Sequence, residues 1–173
     1  QRIGQAAELY HRLVILAAPA GAGKTAVLRE IHARTSAPLM NINLELSRCM
    51  LDLTERRRAL RLPDLLSDIV AATRADPVLL DNIEILFDVS LNQDPLRLLQ
   101  GLSRNRTVVA TWSGEIRTEE RGLRTDLETL DDSVLSTQSS SLYLVYAKPG
   151  HPEYRRHPIE GFLVINAEDS DED

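Results

Sequence analysis

Leu13-Val-Ile-Leu-Ala17, then Ala18-Pro-Ala-Gly-Ala-Gly-Lys-Thr25, then Ala26-Val-Leu-Arg-Glu-Ile-His32 form the stretch that decides the fold. The first block is an unbroken apolar run of strand length. The second is a glycine-rich turn, and the third, entered at Thr25, has apolar residues at helical spacing. Strand, turn and helix in this order are the context that a phosphate-binding loop requires, and the turn matches that pattern everywhere except at its first position, where Ala18 replaces glycine. Gly21 and Gly23 let the backbone turn so that successive N–H groups converge on an anion, and the helix adds its positive end. The expected nucleotide contacts are Ala20, Gly21, Ala22, Gly23, Lys24, Thr25 and Ala26. Lys24 is expected to span the β- and γ-phosphate oxygens of ATP, and the Thr25 hydroxyl to meet its magnesium.

Downstream, the turn signal Thr35-Ser-Ala-Pro38 leads into a short strand at Leu39–Asn43. Apolar residues then recur at Leu46, Met50, Leu53 and Leu60, a helical stripe with arginines opposite. Pro63 is read as opening a further helix through Thr73, which Asp76-Pro77 stops. Val78-Leu-Leu80 is a buried third strand ending in Asp81, and Asp94-Pro95 caps and starts a helix to Leu102. Thr107–Thr111 and Leu142–Tyr146 read as strands four and five, and Gly161–Ile165 is a candidate sixth, edge strand with antiparallel pairing open to it.

Apolar strands alternating with helices imply a parallel sheet covered on both faces. The expected fold is α/β: a three-layer α/β/α P-loop NTPase with a mainly parallel five-stranded sheet in AAA+/RecA-like order and no C-terminal helical lid. One domain is expected over residues 1–167, followed by an acidic, disordered tail at 168–173.

Asp81, at the carboxyl end of a hydrophobic strand about fifty residues beyond the loop, is the expected second magnesium contact. Many ATPases place a glutamate directly after this aspartate; here the position holds Asn82, which can orient water but cannot take a proton at neutral pH. Glu84 is the candidate base. At the end of strand four, Thr111 or Ser113 is the candidate sensor of the γ-phosphate. Arg104, Arg106, Arg117, Arg121 and Arg124 are candidates for an arginine finger, with Arg104 and Arg106 favoured.

With 173 residues and 43% hydrophobic content the chain can bury one ordinary core. Its single cysteine, Cys49, excludes an intramolecular disulfide and a zinc site built on cysteines. His151, Tyr154 and His157 are too few and too loosely spaced to suggest a metal. No apolar run approaches the roughly 18 residues of a membrane span, so a cytoplasmic protein is expected, although a chain opening on Gln1 gives little purchase on targeting. The net charge of −6 argues against a general affinity for phosphate backbones. Without the five tail acids the body is nearly balanced. Arg56, Arg57, Arg58 and Arg61 therefore read as a solvated helix face, or as a contact to DNA or an acidic partner, without interleaved aromatic residues to stack on bases.

The blocks Asn41-Ile-Asn-Leu-Glu-Leu-Ser47, Asp81-Asn-Ile-Glu-Ile-Leu-Phe87, Gln93-Asp-Pro-Leu-Arg-Leu-Leu-Gln100, Leu102-Ser-Arg-Asn-Arg-Thr107 and Pro149-Gly-His-Pro-Glu-Tyr154 resemble the BrxF P-loop protein of BREX bacterial anti-phage systems, over most of the chain. The resemblance implies a small cytoplasmic ATPase-like component of a multi-gene defence system that tells self DNA from phage DNA. Its neighbours in such a system are a methyltransferase, a phosphatase-like protein and a large ATPase. It carries the P-loop assignment onto Gly23, Lys24, Thr25 and, by motif position, Asp81. Expected partners are other BREX components, including a larger ATPase, and further copies of the chain. Hydrolysis is expected to be weak or partner-dependent; the alternative is a nucleotide-gated scaffold with little turnover. A small-molecule kinase would need a lid and an arginine-rich substrate pocket after the loop, and no such lid is seen in the sequence.

Overall fold

The structure, a computed structural model, describes residues 2–6, 8–120 and 140–167. In chain order its elements are α1 (Arg2–Ala6), β1 (Leu13–Ala18), α2 (Lys24–Thr35), β2 (Leu39–Asn41), α3 (Ile42–Met50), α4 (Glu55–Ala71), β3 (Val78–Asp81), α5 (Pro95–Leu102), β4 (Val108–Glu120), β5 (Ser140–Tyr146), β6 (Arg155–Pro158) and β7 (Leu163–Asn166). Short 3-10 turns at Glu84–Phe87 and Val89–Leu91 separate β3 from α5.

Five strands run parallel in the order β2-β3-β4-β1-β7. The alternation of side chains along a strand sorts the core into two layers. Leu13, Ile15 and Ala17 of β1, with Val108, Ala110 and Trp112 of β4, face α3, α4 and α5. Val14 and Leu16, with Leu79 and Val109, face Leu28 of α2 and Ala6 of α1. The chain is thus α/β with helices on both faces of a mainly parallel sheet, compatible with three layers.

Two strand expectations are corrected. Leu142–Tyr146 is not the fifth parallel strand. Instead β4 runs on past Ser113 for thirteen residues in all, and its outer half pairs antiparallel with β5, which pairs antiparallel with β6. The place beside β1 goes to β7, read as a candidate edge strand with antiparallel pairing open to it; it does lie at the edge, and it pairs parallel. The outer half of β4 approaches its partner closely: a Cβ on Gly114 would lie 1.9 Å from the Val145 carbonyl oxygen.

The helical readings change where capping and proline act. Asn41 ends β2 early because its side chain accepts from the Leu44 amide at 3.0 Å, capping α3. The stripe read from Leu44 to Leu60 belongs to two helices broken at residues 51–54, and Leu60 is exposed. Arg58 ties the break together by donating Nε to the carbonyls of Met50 and Leu53, so it is not part of a free arginine face.

Pro63 does not open a helix. It lies inside α4, whose buried stripe is Leu62, Leu66 and Val70. A proline there leaves the carbonyl four residues earlier without its amide donor. That carbonyl is Ala59's, and Gln93 Nε2 donates to it at 2.8 Å from the segment before α5. Gln93→Ala is therefore expected to cost about 1 kcal/mol. Urea unfolding of a double-mutant cycle should show that cost shrinking in a Pro63→Ala background, where the amide returns.

Asp94 caps α5 as read, accepting from the Arg97 amide, with Pro95 in the first turn. Arg106 donates to the carbonyls of Val70 and Thr73 and so closes the end of α4. Arg104 and Arg106 both precede β4 and sit at the end of the sheet away from the glycine-rich loop. Arg121, Arg124 and the 168–173 tail lie outside the described residues. Among the described residues no helix is long and apolar enough to cross a membrane, and none follows β5. Cys49 is exposed on α3.

An aromatic cluster joins the parallel sheet to the antiparallel extension. Phe87 stacks on Tyr146 with ring centroids 3.5 Å apart, and Trp112 meets Phe87, Tyr146 and His157 edge-on. Burial, with Glu153 and Glu84 nearby, pushes the Tyr146 phenol up to about 12. Among the described residues His157 Nε2 is buried without a partner. Burial holds its imidazole below the ordinary 6.5; Asp94 opposes this and Arg155 reinforces it. Below that value the unfolded chain binds a proton that folded His157 refuses, so its contribution is full above 6.5 and is lost as pH falls. His157→Leu is expected to flatten the drop in melting temperature between about pH 7.5 and about pH 5.5.

Candidate functional site

The carboxyl ends of the parallel strands gather residues that the sequence keeps far apart. Register sets Asn41 of β2 beside Asp81 of β3, Leu16 of β1 beside Thr111 of β4, and Ala18 beside Ser113. Ligands of open α/β sheets bind in this region, where strands give way to loops. A cavity of about 500 Å³ opens there, lined by the loop and first turns of α2 on one side and by Asp81, Asn82, Glu84, Thr111 and Ser113 on the other.

The loop's shape follows from its glycines. Gly21 and Gly23 both take φ of +82°, where a side chain would be strained, and a Cβ on either would meet nothing within 4 Å. Ala22 N–H turns back to the Pro19 carbonyl at 3.2 Å. The N–H groups of Gly21, Gly23, Lys24 and Thr25 have no acceptor among the described residues, as the opening turn of a helix leaves them.

Lys24 is 7% exposed, and its Nζ donates to the carbonyls of Ala18 and Pro19 at 2.9 and 2.7 Å. Burial lowers its pKa, while Glu84 and then Asp81 pull in the other direction. Asp81 is buried, its Oδ1 accepting from the Thr111 hydroxyl at 3.2 Å and from the Asn82 amide at 3.0 Å. Oδ2 has no donor among the described residues. Glu84 accepts from the Ser113 hydroxyl at 2.7 Å and from the Asn43 side-chain amide at 3.3 Å. Asn43 is itself fixed, its Oδ1 taking the Ile85 N–H at 2.8 Å.

Of the expected residues, Ala20, Gly21, Gly23, Lys24, Thr25, Ala26, Asp81, Asn82, Glu84 and Thr111 all line the one cavity. Ala22 does not; its side chain packs into the core layer beneath α2. Asn82 takes a left-handed φ of 51°. Thr111 and Ser113, read as alternatives, both point into the site, each on a different carboxylate. Three features were not read from the sequence: Asn43 as the partner of Glu84, the Ser113–Glu84 bond, and Arg29 in the lining. The spacing of Arg29 one turn beyond Thr25 could have announced it.

The arrangement offers an ammonium, a guanidinium, loop amides, two carboxylates and three hydroxyls around one opening, which suits an anion carrying a hard cation. Among the described residues no group of three or more His, Cys, Asp or Glu side chains could hold a metal ion by itself. A second cavity of about 380 Å³, between α4 and α5, is lined by Leu66, Val70, Leu98 and Leu102 with Arg97 and Arg106 and carries no carboxylate. Comparisons with protein-family models, with curated proteins and with solved structures find no match.

Proposed function

We propose that this chain is a P-loop NTPase of the AAA+/RecA-like branch that binds ATP with magnesium in this cavity. The reading rests above all on one observation: Lys24, Thr25, Asp81, Glu84 and Thr111 converge on a single opening behind a glycine loop with free amides. The residues present fit the ligand. The loop amides and Lys24 suit phosphate oxygens, while Thr25 and the undonated Asp81 oxygen suit a hard divalent cation that brings water and phosphate as its other ligands. Magnesium, when bound, neutralises charge on the phosphates.

Glu84 is the general base of this reading. Ser113 and Asn43 hold its carboxylate on the cavity wall, so it can take a proton from an attacking water while Thr111 orients Asp81. Following the sequence resemblance, the role we propose is that of a BREX component in phage defence, acting in the cytoplasm as an oligomeric or partner-activated ATP-driven switch. One observation favours the alternative, a nucleotide-gated scaffold: the residue after Asp81 is Asn82, which cannot accept a proton.

ATP turnover by the purified protein over a wide concentration range tests both. A rate per subunit that climbs with concentration supports a site completed by a neighbour; binding without turnover at any concentration supports the scaffold. Glu84→Gln is expected to cut turnover by about 100-fold or more while leaving ATP affinity close to wild type. Phage protection unaffected by that change would remove hydrolysis from the function.

A further inference from the structure

We infer that Arg29 is a second phosphate anchor of this cavity, a contact that rests on the nucleotide reading above. Arg29 lies on α2, four residues beyond Thr25 and three beyond Ala26, and lines the same wall of the cavity as both. Positions three and four apart share a helix face, so the exposed side chain lies on the loop side of α2, at the mouth of the cavity.

Among the described residues its guanidinium has no acceptor. No hydrogen bond or ion pair joins Arg29 to another group among the described residues, and the adjacent acid, Glu30, is engaged by Arg34 one turn on. Lys24, the other cation in the lining, is already bound to two loop carbonyls. Arg29 is therefore the cation with donors to spare.

Charge balance gives the same answer. The lining holds Lys24 and Arg29 against Asp81 and Glu84, two positive and two negative groups. Taking Arg29 away leaves the opening net negative, which repels a polyanion, and a planar guanidinium pairs with phosphate oxygens through two parallel N–H donors.

The test is a binding series with magnesium, using ATP and inorganic tripolyphosphate as separate probes on wild type, Arg29→Ala, Arg29→Lys and an Arg34→Ala control. Arg29→Ala is expected to weaken both probes about tenfold or more. Arg29→Lys should recover part of that loss, and Arg34→Ala should bind as wild type. Matched far-UV circular dichroism and melting temperature establish that the variants are folded. ATP binding that is lost in Lys24→Ala but unchanged in Arg29→Ala overturns the anchor and leaves the nucleotide reading standing. Arg29-dependent binding of tripolyphosphate without ATP binding supports the anchor and removes the nucleotide. Binding of neither probe to wild type removes both.

Discussion

Replacing Lys24 with alanine is expected to abolish ATP binding, an affinity loss of at least about 100-fold, or ~2.7 kcal/mol, measured by titration calorimetry with magnesium present. The lysine is nearly enclosed and faces two carboxylates, Glu84 and Asp81. With the ammonium gone, only Arg29 is left in the lining against the two carboxylates, and an opening of net negative charge repels a triphosphate. Folding should respond differently. Burial makes Lys24 hold its proton less tightly in the folded chain than in the unfolded one. Wild-type stability therefore rises with pH through the window that ends at the ordinary 10.5, and Lys24→Ala removes that rise. A variant that melts like wild type at neutral pH yet binds no ATP separates the two effects; one that still binds ATP tightly takes Lys24 out of the site.

Trp112→Ala carries the largest expected loss of stability, about 3–5 kcal/mol, read from urea unfolding. Trp112 is fully buried, and its Nε1 donates to the Val145 carbonyl at 3.1 Å. Alanine leaves a cavity among Phe87, Tyr146 and His157 and orphans that carbonyl at the junction of the two pairing schemes. Trp112→Phe keeps much of the packing and loses the donor, so it should fall between the two. An alanine variant as stable as wild type would mean that the cluster does not hold β4 to β5.

The parallel sheet was readable because each of its early strands is an apolar run with a turn signal on either side, and the loop of residues 18–25 fixed where it turns into helix. The later strands misled for a physical reason. Leu142–Tyr146 and Gly161–Ile165 are both apolar at strand length, and composition does not say which edge a strand joins. The decisive fact is that Ser113 to Glu120 stays extended although it is mostly polar, which an antiparallel strand with one solvated face tolerates. Pro63 was misread because a proline looks the same at the start of a helix as inside one whose lost hydrogen bond is supplied by Gln93, thirty residues away.

Within the site, Lys24, Thr25 and Asp81 were legible because their motifs are local. Asn43, Ser113 and Arg29 were not. Asn43 reaches Glu84 across forty-one residues and Ser113 across twenty-nine, and only the sheet's register brings them together.

That register ties two parts of the molecule to one ruler. Strand β4 carries Thr111 and Ser113 at the cavity and, from Gly114 onward, the ladder to β5. Successive side chains point to opposite sides, so inserting one residue after Ser113 would turn every later side chain of β4 over relative to β5. Ile116, now packed on the core, would change places with an exposed charge. Between Gly114 and Glu120, length changes that keep the pairing with β5 are thus confined to paired steps, so the stem of this strand can drift in side chain far more freely than in length.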